Sequence, residues 1–213
     1  MKLAKSLIAA LLAVRVLAGC SPSSAVPEKY LQSANKPWWS VPVSEVLQQP
    51  VDGKIYTRYT LWSRTKNVSS LNIQDGRILP PGSEVEALYA NEHVLKLRDK
   101  TGREYHIEFD PGDQLCDMRD FIRRLLTLQP PEKEFADIRP EMKSYVFRGE
   151  VVPGMTRREV CAAYGPPAKS RTPFLKSDTW IYWTSADKTI RVIFRGDVVR
   201  SILNINADDS YVH

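Results

Sequence analysis

The sequence predicts an α+β protein: a small all-β barrel domain, a helical connector, and a helix packed on a three-stranded antiparallel sheet. Three observations carry that expectation. From Glu84 to Phe109, charged and apolar residues alternate in runs separated by turn residues, as half-buried strands do. From Thr156 to Gly165, an N-cap signature opens a short apolar periodicity that Gly165-Pro166-Pro167 ends, which predicts a helix. Three apolar strand candidates follow it closely. A hydrophobic content of 43% is enough for a packed core.

Residues 1–19 stand apart. Lys2 and Lys5 precede an apolar run from Leu7 to Leu17 that Arg15 interrupts. The run is too short to cross a bilayer and reads as a signal peptide. Leu17-Ala18-Gly19-Cys20 resembles the lipobox of bacterial lipoproteins. The resemblance implies that Cys20 carries a diacyl group, becomes the N-terminus after cleavage and is acylated again on its amine. Two or three chains give stable anchoring where one is marginal. Ser21 follows, where Asp resembles an inner-membrane retention signal, so the expected location is the outer membrane, facing the periplasm. Three of the 30 basic side chains lie in the leader, leaving 27 against 25 acidic ones, a net charge of +2. That balance does not call for a nucleic-acid partner.

Residues 20–53 read as a lipidated tether: Ser21-Pro22-Ser23-Ser24 opens it, and Pro37-Trp38-Trp39-Ser40-Val41-Pro42 interrupts it. Trp38 and Trp39 either fold back onto the first domain or contact a partner or membrane interface. Ser44 to Gln49 is expected to form a short turn of helix.

Residues 54–110 are expected to be all-β. Lys54 to Trp62 is rich in Tyr, Thr and Ile. Glu84 to Tyr89, Val94 to Arg98 and Glu104 to Phe109 are further strands, separated by Asn91-Glu92 and by Asp99-Lys100-Thr101-Gly102. Pro80-Pro81-Gly82 ahead of an alternating strand resembles the entry of bacterial SH3-like domains, which implies a small barrel.

Residues 111–150 form the connector. Asp110 caps, Pro111 suits the first helical position, and Asp113 adds charge to the first turn. Leu115, Met118, Ile122, Leu125 and Leu126 recur at helical spacing, predicting one helix that Pro130-Pro131 ends. Glu132 to Arg148 reads as a linker with a short helical piece.

Residues 151–213 carry the clearest local signals. Thr156-Arg157-Arg158-Glu159 is a capping box, and Met155 with Val160 forms a hydrophobic staple. Strands are expected at Thr179–Trp183, Ile190–Phe194 and Val198–Leu203, with turns at Asp187-Lys188 and Gly196-Asp197. The expected core is Met155, Val160, Tyr164, Trp180, Tyr182, Val192, Phe194 and Val198.

The order Gly154-Met155-Thr156, Glu159-Val160, Gly165-Pro166-Pro167, Trp180-Ile181-Tyr182, Val192-Ile193-Phe194 and Gly196-Asp197-Val198-Val199 resembles the SmpA/OmlA (BamE-like) lipoproteins of Gram-negative envelopes. The resemblance implies a small α/β scaffold, classically in the outer-membrane β-barrel assembly machinery. Secreted inhibitors of β-lactamases look similar in module design. The expected function is therefore an envelope scaffold or protein-interaction module in outer-membrane assembly or integrity. The alternative is a cell-wall-binding or enzyme-inhibiting module. The expected partners are the membrane, through Cys20, and envelope proteins or peptidoglycan.

No catalytic pattern stands out. His93, His106 and His213 lie at no metal-ligand spacing, and neither a metal nor a cofactor is expected. A His106–Cys116 pair can be drawn, but Cys116 sits in an apolar helical pattern. Cys116 and Cys161 are either bonded to each other in an oxidising compartment or buried as free thiols. The candidate contact surface is the polar loop from Ala168 to Asp178, represented by Ser170, Arg171, Phe174 and Leu175, with Trp38, Trp39 and the sheet edges beside it.

Overall fold

The computed structural model describes residues 40–50, 53–185 and 187–206. Cys20, Trp38 and Trp39 lie outside the described residues.

Helix α1 spans Val43–Leu47 and buries Val43 and Val46. Strands β1 (Ile55–Thr57), β2 (Leu61–Ser63), β3 (Asn67–Ser69), β4 (Arg77–Leu79), β5 (Glu84–Ala90), β6 (Val94–Asp99) and β7 (Glu104–Glu108) follow. Two helices, α2 (Pro111–Gln114) and α3 (Met118–Leu125), lead into the short strand β8 (Leu126–Thr127). Helices α4 (Pro131–Glu134) and α5 (Pro140–Phe147) precede α6 (Arg157–Tyr164). Strands β9 (Thr179–Trp183), β10 (Lys188–Arg195) and β11 (Val198–Asn206) complete the described chain. The protein is thus α+β, with several sheets and short helices.

The first sheet has the order β3-β7-β6-β5-β1-β8, with β2 and β4 as a separate two-stranded ribbon. The expected SH3-like barrel is not closed. β3 joins β7 in parallel register at one edge and β8 joins β1 at the other, so the sheet stays open. The run from Lys54 to Trp62 is not one strand either. The chain bends at Arg58-Tyr59-Thr60 and sends β1 and β2 to different sheets. Alternation along β6 and β7 buries Leu95, Leu97, Tyr105 and Ile107 against α3.

The single helix expected from Asp110 to Leu126 is two. Asp110 does cap α2, accepting from the Gly112 and Asp113 amides at 2.7 and 3.3 Å. Leu115 then turns left-handed, with φ 47°, and points to solvent. Asp117 provides a second cap, accepting from the Asp120 amide at 2.8 Å. Met118, Phe121, Ile122 and Leu125 form the buried stripe of α3. Leu126 leaves the helix to pair with Thr57.

The C-terminal part folds as its local signals predict. Thr156 and Glu159 close the capping box, and Met155 and Val160 are fully buried. The sheet is antiparallel in the order β11-β10-β9. Trp180, Tyr182, Val192 and Phe194 face α6 in a second core cluster. Gly196-Asp197 makes the tight hairpin between β10 and β11, with Gly196 at φ 63°. One core residue differs. Val198 is exposed and Val199 is buried, because a register shift between Ile193 and Phe194 pairs Phe194 with Val199.

The residues described from Ser40 onward belong to one compact unit, and the two core clusters meet through polar contacts as well as packing. Asn72 adopts φ 52° and is buried. Its Nδ2 donates to Thr60 O at 2.8 Å and to Tyr164 O at 3.0 Å, and its Oδ1 accepts from the Trp62 amide at 3.1 Å. The Thr60 amide donates to Ala162 O at 3.3 Å, and the Gln74 amide donates to Trp183 O at 2.8 Å. Tyr59 lies on Gly165, where a Cβ would come within 2.8 Å of its ring. Gly165 also holds φ 83°, so two independent constraints require glycine there.

Candidate functional site: the α6–β9 loop and the cleft beneath it

The expected contact loop runs from the end of α6 to β9. Pro166, Pro167 and Pro173 stiffen it, and the Arg171 and Thr172 amides fold its first half back onto Ala168 O at 3.1 and 2.9 Å. Thr172 is buried, and its Oγ1 accepts from the Ile181 amide at 3.2 Å. The second half is fastened by Arg157. Its guanidinium donates to Leu175 O at 2.9 Å, Ser177 O at 2.7 Å and Gly196 O at 3.2 Å, while lying 4.1 Å from the Phe194 ring centroid. One side chain at the start of α6 thereby satisfies carbonyls of the loop and of the β10–β11 hairpin.

The four loop residues named from the sequence do different things. The Ser170 amide and hydroxyl bind Asp113 O and Oδ1 at 3.0 and 3.1 Å, tying the loop to α2. Arg171 stacks over Trp183 at 5.9 Å. Phe174 and Leu175 present apolar surface to solvent, at 73% and 54% exposure.

Beneath the loop lies a cleft of about 400 Å³, lined by Arg58 and Tyr59 from the β1–β2 bend, Arg123 and Arg124 from α3, Glu134 from α4, Arg158 and Cys161 from α6, and Pro166, Pro167, Lys169, Thr172, Pro173 and Leu175 from the loop. Glu134 organises one wall. Its carboxylate is largely buried and accepts from Arg58 Nη1 at 2.8 Å and Thr127 Oγ1 at 3.1 Å, with Arg158 Nη2 at 3.7 Å. Arg58 Nε donates to Leu126 O at 3.1 Å, and Arg158 donates to Glu134 O at 2.6 Å and to Asp137 Oδ2 at 3.0 Å. Two guanidinium groups are thus held side by side around one carboxylate.

A second ion pair braces α6 from below. The Glu159 carboxylate accepts from Arg139 Nε and Nη2 at 2.9 and 2.6 Å and from the Arg139 and Thr156 amides at 3.2 and 2.8 Å. Burial would raise this carboxyl, but the hydrogen bonds from Arg139 and the two amides outweigh it and hold the group below the ordinary glutamate value.

Cys116 and Cys161 are free thiols, so of the two expected alternatives it is the unbonded one that the structure has. Each packs against a different core cluster. Desolvation pushes the Cys161 thiol up to about 12 and raises Cys116 as well. His106 Nε2 lies 3.3 Å from Glu104 Oε2, which gives it a carboxylate neighbour on its own strand. Among the described residues no group of three or more His, Cys, Asp or Glu side chains could hold a metal ion. No helix among them is long and apolar enough to cross a membrane.

Arg58, Glu134, Arg139 and Arg157 have no counterpart among the sequence-derived candidates. Their partners lie far away in the chain, 76 residues from Arg58 to Glu134 and 20 from Arg139 to Glu159. The only local signal was the run of charge at Arg157-Arg158 inside the capping box. No family model, curated protein or solved structure matches the chain.

Proposed function

We propose that this chain is a lipoprotein of the cell envelope, anchored through Cys20 at the outer membrane and facing the periplasm. It works there as a scaffold or protein-interaction module in outer-membrane assembly or integrity. The carrying observation is the apolar tip of the α6–β9 loop. Phe174 and Leu175 stand out in solvent while Arg157 fastens the carbonyls behind them. An exposed aromatic–aliphatic pair on a fastened backbone binds with little ordering cost, which is how interface anchors work. The helix on a β11-β10-β9 sheet supports the BamE-like reading of residues 151–213, although a fold by itself names no partner. The raised thiols of Cys116 and Cys161 speak against either one acting as a nucleophile. A lipid tether raises the local concentration of the module near other envelope proteins, so a small contact suffices.

The test pairs localisation with capture. Cys20→Ala should release the protein from the membrane fraction. Phe174→Ser should leave the melting temperature unchanged and lose the envelope proteins that the unaltered protein retains in a pulldown. Replacing the entire loop is a poorer test, because Thr172 is part of the core. Membrane retention of the Cys20→Ala protein, or undiminished capture by Phe174→Ser, would count against this function. Capture of peptidoglycan or a secreted hydrolase in place of assembly proteins would move it to the wall-binding or inhibitor class.

A further inference from the structure

We infer that the cleft beneath the α6–β9 loop binds a small amphiphile: an oxyanion head, phosphate or carboxylate, on a short apolar body. Five cationic side chains line the cleft and only one carboxylate, Glu134, does so. Glu134 is already engaged, with Arg58, Arg158 and Thr127 directed at it. Arg123 pairs with Asp120 at 3.0 Å outside the cleft. Arg124 and Lys169 have no carboxylate partner among the described residues; Arg124 reaches only Gln114 O, at 3.5 Å. Both are half-buried, one on α3 and one on the loop opposite.

Like charges brought together on one concave wall repel one another, and an anion placed among them lowers that cost. Here the protein balances the fixed Arg58–Arg158 pair with Glu134 and Asp137 and sets Arg124 and Lys169 beside it with no carboxylate of their own among the described residues. The concave wall focuses the positive potential inward. An incoming oxyanion is the group that offsets it, and guanidinium donors not used by Glu134 are free to bind it: Arg58 Nη2 and Arg158 Nη1 make no hydrogen bond among the described residues.

The remaining lining sets the rest of the ligand. Tyr59, Pro166 and Leu175 give the cleft an apolar side. A volume of about 400 Å³ lies in the range of small-molecule sites and is too small for a folded partner. The ligand is therefore an acid with a body of a few carbons.

The experiment titrates the purified full chain with hexyl phosphate, hexanoate, hexanol and hexyltrimethylammonium, by calorimetry and by amide chemical shifts. The inference expects at least one of the two acids to bind at least roughly tenfold more tightly than hexanol or the cation, with shifts concentrated at Lys169, Thr172 and Leu175. Whichever acid is favoured identifies the head group. Arg124→Gln and Lys169→Gln remove no ion pair, and each should weaken that acid by roughly tenfold with an unchanged melting temperature. Arg200→Gln, exposed on β11 and outside the cleft, should leave binding unchanged. Raising the salt should weaken the acid and not hexanol. The inference is overturned if neither acid outbinds hexanol, if the two glutamine variants bind as well as the unaltered chain, or if Arg200→Gln weakens binding as much as they do.

Discussion

Replacing Glu159 by Gln keeps the size of the side chain and removes its charge. Glu159 is 1% exposed, and its carboxylate accepts four hydrogen bonds, two of them from the Arg139 guanidinium. Glutamine offers one acceptor oxygen and turns two N–H donors toward groups that are themselves donors. Breaking a buried ion pair costs about 3–5 kcal/mol when the remaining charge stays buried. Arg139 is 39% exposed and can rehydrate, so the expected loss is at the low end, about 3 kcal/mol. For a domain of this size that corresponds to about 6–12 °C in melting temperature. The pH dependence follows from the lowered carboxyl. A group with a depressed folded-state pKa contributes stability above its unfolded value, near 4.3 for glutamate, and loses it as pH falls through the folded value. The gap between the two proteins should therefore be full at neutral pH and narrow below about pH 4. Urea unfolding at a series of pH values, followed by tryptophan fluorescence, measures it directly. A gap under about 1 kcal/mol at pH 7, or one that does not change down to the lowest pH at which both proteins stay folded, would refute the assignment.

Two further outcomes test the C-terminal core and its loop. Trp180 is 1% exposed and packs on Phe194 at 4.7 Å between ring centroids; Trp180→Ala should cost about 3–5 kcal/mol in chemical denaturation, and a loss below about 1 kcal/mol would mean that the core is centred elsewhere. Arg157→Ala removes the donors that hold Leu175 O, Ser177 O and Gly196 O, so hydrogen exchange should quicken from residue 174 to residue 178 more than in β10; equal protection in the two proteins would show that the prolines alone hold the loop.

What could be read from the sequence was whatever is decided within a few residues. The capping box at Thr156 and Glu159, the stop at Gly165-Pro166-Pro167 and the Gly196-Asp197 hairpin are local contests between backbone groups, and their winners are encoded where they act. The failures share the opposite property. Asp117 sits inside an apolar periodicity that includes Leu115, and only the left-handed turn at Leu115 separates α2 from α3. Val198 and Val199 are adjacent, and a register shift on the neighbouring strand decides which one is buried. The open sheet depends on where β3 and β8 pair, each with a strand distant in sequence. The cleft was invisible for the same reason: its walls come from the β1–β2 bend, α3, α4, α6 and the loop, and no spacing rule links them.

The joint between the two core clusters decides how the loop and the cleft can behave. If the clusters were independent modules on a flexible connector, their facing backbone groups would be satisfied by water. Instead the Asn72 side chain gives both its N–H donors and one acceptor position to the β2 region and to Tyr164 O at the end of α6, and the Thr60 amide adds a bond to Ala162 O. Buried amides of this kind are costly to leave unmade, so they fix one relative placement. Tyr59 and Gly165 reinforce it, because no side chain can intervene between them. The bend that carries Arg58 and Tyr59 is therefore rigidly coupled to the glycine from which the α6–β9 loop departs. Lys169 and the apolar pair Phe174 and Leu175 ride on that one fastened loop, so the cleft wall and the exposed tip keep a fixed relation to the bend.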